Sequence, residues 1–132
     1  MSDIIKKNND YLRIKYTDGH CLAGIKPFQR DILLFDTHIA GTTHIEGMDE
    51  LEKHIHIGDR LEFYRQQDNP YDANAIEIRN DMNVKIGYLP KADNIVFSRL
   101  MDAGKLLYGK VISKEILDNW VKIQIEIYLH EI

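Results

Sequence analysis

The sequence is poor in the residues that build covalent or metal-bound frameworks. It holds one cysteine, Cys21, in 132 residues, so neither an intramolecular disulfide nor a zinc site with two or more thiolates can form. The neighbours Gly19-His20 and Leu22-Ala23 do not describe an activated thiolate, and a plain structural cysteine is expected. No apolar run approaches the roughly 20 residues that a membrane-spanning helix needs. Residues 1–10 also lack the apolar stretch of a secretory signal, which makes a cytoplasmic address the expectation. Positive charge is scarce too: 17 basic residues stand against 21 acidic ones, a net charge of −4. Nonspecific coating of duplex DNA requires many phosphates to be neutralised at once, so that role is disfavoured. A local pocket holding a few nucleotides remains compatible with this charge.

What is present describes one folded domain with a single core. Residues 1–30 are a weakly specified extension: Leu12, Ile14 and Tyr16 alternate with Arg13 and Lys15, Thr17-Asp18-Gly19-His20 reads as a turn, and Cys21 to Ile25 could return as the second strand of a hairpin. The domain proper is expected over residues 31–132. Ile32 to Ala40 predicts a strand, and Met48, Leu51 and Ile55 recur at the spacing of a helical turn or two. Further strands are expected over Arg60 to Gln66, with Leu61 and Phe63 inward, and over Ala75 to Arg79, with Ile76 and Ile78 inward. Val84 to Leu89 follows as the return of a hairpin. Ala92 to Ala103 predicts a helix with Ile95, Val96, Leu100 and Met101 on its core side, capped by Gly104. Leu106 to Ser113 and Trp120 to Leu129 finish the chain as strands; in the latter Val121, Ile123, Ile125, Ile127 and Leu129 alternate with polar residues. Five or six short strands, one main helix and no βαβ rhythm predict a mainly β fold, a small closed or partly closed barrel.

Between Gly58 and Pro90 the features follow a recognisable order. Gly58-Asp59 leads into a strand ending at Arg65, then come Asn69-Pro70-Tyr71-Asp72, Ala75-Ile76 and Ile86-Gly87-Tyr88-Leu89-Pro90. In this order the chain resembles the HIRAN domain, found fused to DNA-remodelling helicases of the SWI2/SNF2 class and as small independent bacterial proteins; the match covers about residues 32–130. The resemblance implies an OB-like (or SH3-like) β-barrel that holds the 3′ end of single-stranded DNA, with no cofactor. There is no GxxxxGK[ST] phosphate loop, so no ATP hydrolysis, and no enzyme activity, is expected of this chain.

A pocket for a strand terminus needs an acceptor for the terminal hydroxyl, donors for one or two phosphates, and flat groups against which bases stack. By the resemblance, Asp72 is the hydroxyl acceptor, a carboxylate that would repel a terminal phosphate; its alternative role is an Asx-turn within its own loop. Asn69 would be a polar contact and Tyr71 a stacking or phosphate-bonding group, while turn chemistry and packing are the alternatives. Arg65 and Lys91 are the candidate phosphate donors, against the usual fate of such residues as solvated surface charges. Trp120 is the candidate base-stacking ring and falls, by alternation, on the face opposite the apolar set. The chain departs from the family at Thr42-Thr43-His44, where DNA-binding members carry an aromatic or basic contact; His44 could still stack, over a smaller area.

Two other functions are weighed. His54 and His56, with His38 or His44, could supply zinc ligands, but no known ligand spacing is completed, so no metal is expected and a metal-dependent nuclease is the weakest candidate. A protein-interaction or oligomerisation module, with the barrel kept and the pocket lost, is the alternative to a nucleic-acid partner. DNA against RNA stays open at this level.

Overall fold

The computed structural model describes residues 30–131; the expected hairpin in residues 11–25 lies outside them. Six strands form one antiparallel sheet: β1 (Arg30–His38), β2 (Arg60–Arg65), β3 (Ile76–Arg79), β4 (Lys85–Tyr88), β5 (Leu106–Leu117) and β6 (Trp120–Glu131). A short helix, α1 (Met48–Leu51), lies between β1 and β2, and the main helix, α2 (Lys91–Asp102), between β4 and β5. In space the strands run β1-β6-β5-β2-β3-β4. The sheet curls into a half-barrel, as the mainly β expectation requires. Among the described residues no helix is long and apolar enough to cross a membrane.

The core follows from alternation. Ile123, Ile125 and Ile127 of β6 are fully buried and meet Leu61, Ile76, Ile78 and Ile86 from the strands curled opposite. β-Branched side chains at every second position suit a pleated surface that buries one face. β5 and β6 form the longest pairing, from Leu106↔His130 to Leu117↔Trp120, with a register shift between Val111 and Ser113. β5 therefore runs four residues beyond its expected end at Ser113, because register with β6 sustains it where apolar alternation has faded.

One contact draws the open ends of this sheet together. β1 and β4 are its outermost strands, and just past β1 the backbone of Ala40 exchanges two hydrogen bonds with Tyr88, N–H to O at 2.8 Å and 2.9 Å. The neighbouring Ile39 N–H still donates to Ile123 of β6 at 2.9 Å, and the buried Thr42 hydroxyl donates to the Val121 carbonyl at 2.9 Å. The segment from Ile39 to Thr42 thus crosses from β6 to β4. Gly87 makes room for the crossing: a Cβ there would lie 2.4 Å from Ile39 Cγ2 and 2.6 Å from the Ala40 carbonyl oxygen.

α2 starts behind Pro90, whose fixed φ suits a helix entry. It ends where Gly104 takes a left-handed φ of 89°, with Gly104 N–H bonded to Met101 O and Lys105 N–H to Leu100 O, a Schellman closure. The inward face differs from the expected one. Asn94, Phe97 and Ser98 are buried, with Leu100 and Met101 beside them, whereas Ile95 and Val96 are 48% and 62% exposed. Counting apolar residues misplaced the face, because two polar side chains find partners inside: Ser98 Oγ donates to Ile95 O, and Asn94 Nδ2 to Asp72.

Gly87→Val is expected to lower stability by about 1–3 kcal/mol, since the backbone of Ala40 cannot yield as a side-chain tip would. Urea denaturation measures this; an unchanged midpoint would show that the crossing does not need the close approach.

Candidate nucleic-acid interface

The loop from Gln66 to Ala75 is built by its own side chains. Asn69 Oδ1 accepts the backbone N–H groups of Tyr71 (2.8 Å) and Asp72 (3.1 Å), while its Nδ2 donates to Gln66 Oε1 (3.0 Å). Gln66 Oε1 also accepts from the Tyr88 hydroxyl at 3.1 Å, tying the loop to β4. An asparagine capping the two N–H groups that follow a proline is turn chemistry with a mechanism. Its consequence is that Tyr71, with its backbone held, projects its ring outward at 88% exposure.

Asp72 is half-buried and turned toward α2. Its Oδ1 accepts from Asn74 N–H at 2.9 Å, which is the Asx-turn, and its Oδ2 accepts from Asn94 Nδ2 at 2.8 Å. The Asn74 N–H and the Asn94 amide, helped by the more distant charges of Lys91 and Arg65, hold this carboxyl below the usual carboxylate range against the opposing effect of partial desolvation. The group is an anion at neutral pH. Each carboxylate oxygen has one protein donor and capacity for another.

Beside this loop opens a cleft of about 460 Å³, within the range of small-ligand sites. One wall is the crossing segment, with Ala40, Gly41 and His44. The other is the loop with Asn69, Tyr71, Asp72 and Ala75, and the floor is Tyr88 and Leu89, with Lys91 and Asn94 at the start of α2. Five of the seven residues singled out in the sequence therefore border one cleft: His44, Asn69, Tyr71, Asp72 and Lys91. Lys91 is exposed, and its ammonium makes no hydrogen bond or ion pair among the described residues. It stands at the positive end of the α2 dipole.

The other two are elsewhere. Arg65 is committed to scaffolding: its Nε and Nη2 grip Asp102 at 2.9 and 3.1 Å, and its Nη1 donates to the Ala75 carbonyl at 2.9 Å. This bidentate pair fastens the end of α2 to β2, and the guanidinium influences Asp72 only through space. Trp120 starts β6 opposite Leu117, half exposed, with the Lys122 ammonium 6.0 Å from its ring centre. It stands on the face expected from alternation but does not line the cleft.

Sequence reasoning did not single out Tyr88 or Asn94 as site residues. Tyr88 lies within the Ile86–Pro90 motif, which could have marked it; Asn94 had no signal, being one polar residue within a helix. Among the described residues no three His, Cys, Asp or Glu side chains form a metal-ligand cluster. His54 and His56 are both exposed, and His56 lies 3.8 Å from Asp59.

A family model described as HIRAN domain matches residues 32–131. No curated protein matches the chain. The fold is similar to that of a protein from Lactobacillus plantarum, with a TM-score of 0.70 and 23% identity over 80% of this chain and 100% of that one. It is also similar to the crystal structure of the HIRAN domain of human HLTF, with a TM-score of 0.60 and 20% identity over 76% of this chain and 78% of that one. The NMR structure of the HLTF HIRAN domain in its DNA-bound conformation matches with a TM-score of 0.52 and 19% identity, over 74% and 78%. At these identities the solved structures speak for the shared fold. The family match runs through all six strands, the Gln66–Ala75 loop and α2, so that every element bordering the cleft falls inside it, and this chain belongs to the HIRAN domain family.

Proposed function

We propose that this chain is a nucleic-acid-binding module that grips the 3′ end of single-stranded DNA and does no chemistry of its own. The observation that carries this is the convergence of an exposed tyrosine, an ionised carboxylate and a lysine unpaired among the described residues on one mostly apolar cleft. Family membership and the DNA-bound state of the HLTF HIRAN domain support the same ligand class.

Each part has a physical task. Asp72 accepts the terminal 3′ hydroxyl through a carboxylate oxygen that retains a free lone pair, and it repels a 3′ phosphate by like charge. Lys91, at the entrance to α2, takes the preceding phosphate, a point charge reinforced by the helix dipole. Tyr71 offers a ring face to the terminal base, and stacking of this kind is worth about 1–3 kcal/mol per base. Asn69 serves the ligand indirectly, by fixing the backbone from which Tyr71 and Asp72 project. His44 borders the opposite wall and offers a smaller second surface. Trp120 and Arg65 lie outside this grip. With one cation at the entrance, the footprint is short, in keeping with a net charge of −4.

One observation favours a second function, a protein-interaction or self-associating module: Leu33, Phe35, Ile95 and Val96 are 43–62% exposed on β1 and α2. No oligonucleotide binding, joined to self-association in sedimentation, would decide for it.

Short single strands that differ only at the 3′ terminus provide the main test. The hydroxyl-ended strand is expected to bind at least tenfold more tightly than its 3′-phosphate counterpart, a difference of about 1.4 kcal/mol, and Asp72→Asn should erase most of that gap. Equal affinity for both ends of the wild-type chain would remove Asp72 from the proposal. The salt dependence should be shallow, a slope of log K on log salt near −1 for one or two phosphates, and Lys91→Ala should reduce it by about 0.7; a slope steeper than about −4 would require a cationic track in place of so short a footprint. Because Asp72 is held below the usual carboxylate range, affinity for the hydroxyl-ended strand, which carries no titrating terminal phosphate, should be flat from about pH 5 to 8 and be lost only as the pH falls through the lowered pKa of the carboxyl. A midpoint between about 6 and 7 would point instead to an imidazole.

A further inference from the structure

Asn94 has no obvious place in the α2 pattern. It lies in the second half of the first helical turn, only 2% exposed, on a face otherwise filled by Phe97, Ser98 and Leu100. A buried primary amide is costly unless its hydrogen bonds are made. Its backbone N–H is used in starting the helix, bonded to Pro90 O at 3.1 Å. Its side chain makes one bond among the described residues, Nδ2 to Asp72 Oδ2 at 2.8 Å. That polarity of the amide is required rather than chosen: the flipped rotamer would set a carbonyl oxygen against a carboxylate oxygen.

We propose that Asn94 is the positioning residue for Asp72, and that it makes the cleft selective for a hydroxyl-ended strand. This rests on the proposed 3′-end function and adds to it a specificity determinant on a different element. Asp72 sits on an irregular loop, where a carboxylate is free to rotate about χ2. Asn74 N–H fixes one oxygen from within the loop, at 2.9 Å, but a bond to a residue two positions away cannot register the group against the rest of the cleft. Asn94 does so. It reaches from a helix whose start also carries Lys91, so acceptor and phosphate donor are held in one frame. With Oδ2 taking the Asn94 amide and Oδ1 the Asn74 N–H, the remaining lone pairs have defined directions.

The amide has a second effect, on charge. Lys91 and Arg65, both cationic, act on Asp72 at a distance, and His44, Tyr71 and Tyr88 border the same cleft; the Asn94 bond does more than either cation to hold the carboxyl below the usual carboxylate range. Only an ionised acceptor discriminates a hydroxyl from a phosphate by repulsion; a protonated one would donate to the phosphate and lose the selectivity. A residue that merely packed α2 against the loop would affect stability and leave both properties alone.

Two variants separate these roles. Asn94→Ala removes the donor, and Asn94→Leu removes it while keeping the volume and adding no charge, so that the second serves if the first fails to fold. Binding of hydroxyl-ended and 3′-phosphate-ended single strands is measured for each, and the Asp72 carboxyl is titrated by carbon-detected NMR in the absence of DNA. The expected result is a rise in the Asp72 pKa in both variants, with the hydroxyl-to-phosphate ratio falling about tenfold. The ratio of the two affinities is the decisive readout, since partial unfolding would weaken both ligands together. A hydroxyl preference that survives in both variants would overturn the role of Asn94 while leaving the proposed function standing. Equal binding of the two ends by the wild-type chain would overturn both.

Discussion

The cleft exists because two backbone segments far apart in sequence come within hydrogen-bonding distance at Ala40 and Tyr88. β1 and β4 lie at opposite limits of the sheet order, and without this bridge the curl would leave their ends apart. The bridge brings the wall carrying His44 to the floor formed by Tyr88 and Leu89. Its steric condition is the missing side chain at Gly87, where any Cβ would collide with the Ala40 carbonyl. Thr42, anchored to the Val121 carbonyl, keeps the crossing segment from peeling off the sheet. A glycine inside a strand is a weak strand former; here a close backbone approach accounts for it.

Around that bridge the polar side chains do two jobs at once. Asp72 closes its own loop through Asn74 and still keeps lone pairs for a ligand, because a carboxylate accepts more hydrogen bonds than the loop supplies. The turn role and the proposed ligand role of this residue are therefore not rivals. Asn69, by contrast, has spent its amide on Tyr71, Asp72 and Gln66, and what it contributes to the proposed site is the outward pose of the tyrosine. Arg65 has spent its guanidinium on Asp102 and the Ala75 carbonyl. That pair clamps the far end of α2, leaving Lys91 at the near end as the cation facing the cleft.

The resulting surface fits an acidic chain. With a net charge of −4, the chain as a whole does not attract a polyanion, so the proposed recognition rests on short-range geometry: a carboxylate for a hydroxyl, a ring for a base, one ammonium for a phosphate. In that proposal an end is selected over an internal stretch, because only an end presents the hydroxyl.

Alternation and turn chemistry carried the sequence a long way. The inward set of β6, the paired isoleucines of β3, the Asn69–Asp72 turn and the Gly104 cap were all legible, since each depends on neighbours within a few residues. The ordered motif from Gly58 to Pro90 pointed to the family. What distance along the chain conceals was not legible. The buried face of α2 turned away from Ile95 and Val96 because Asn94 and Ser98 found partners, and one of those partners, Asp72, lies 22 residues earlier. Arg65 looked free until Asp102 was brought beside it, 37 residues later. The sequence by itself determined which sides of β2, β3 and β6 face the core and where the chain turns at Asn69–Asp72 and Gly104, because these depend on local steric preference and period. Which polar groups are consumed by the scaffold and which stay available to a ligand was decided only when the closed sheet set distant residues side by side, for a hydrogen bond depends on proximity in space.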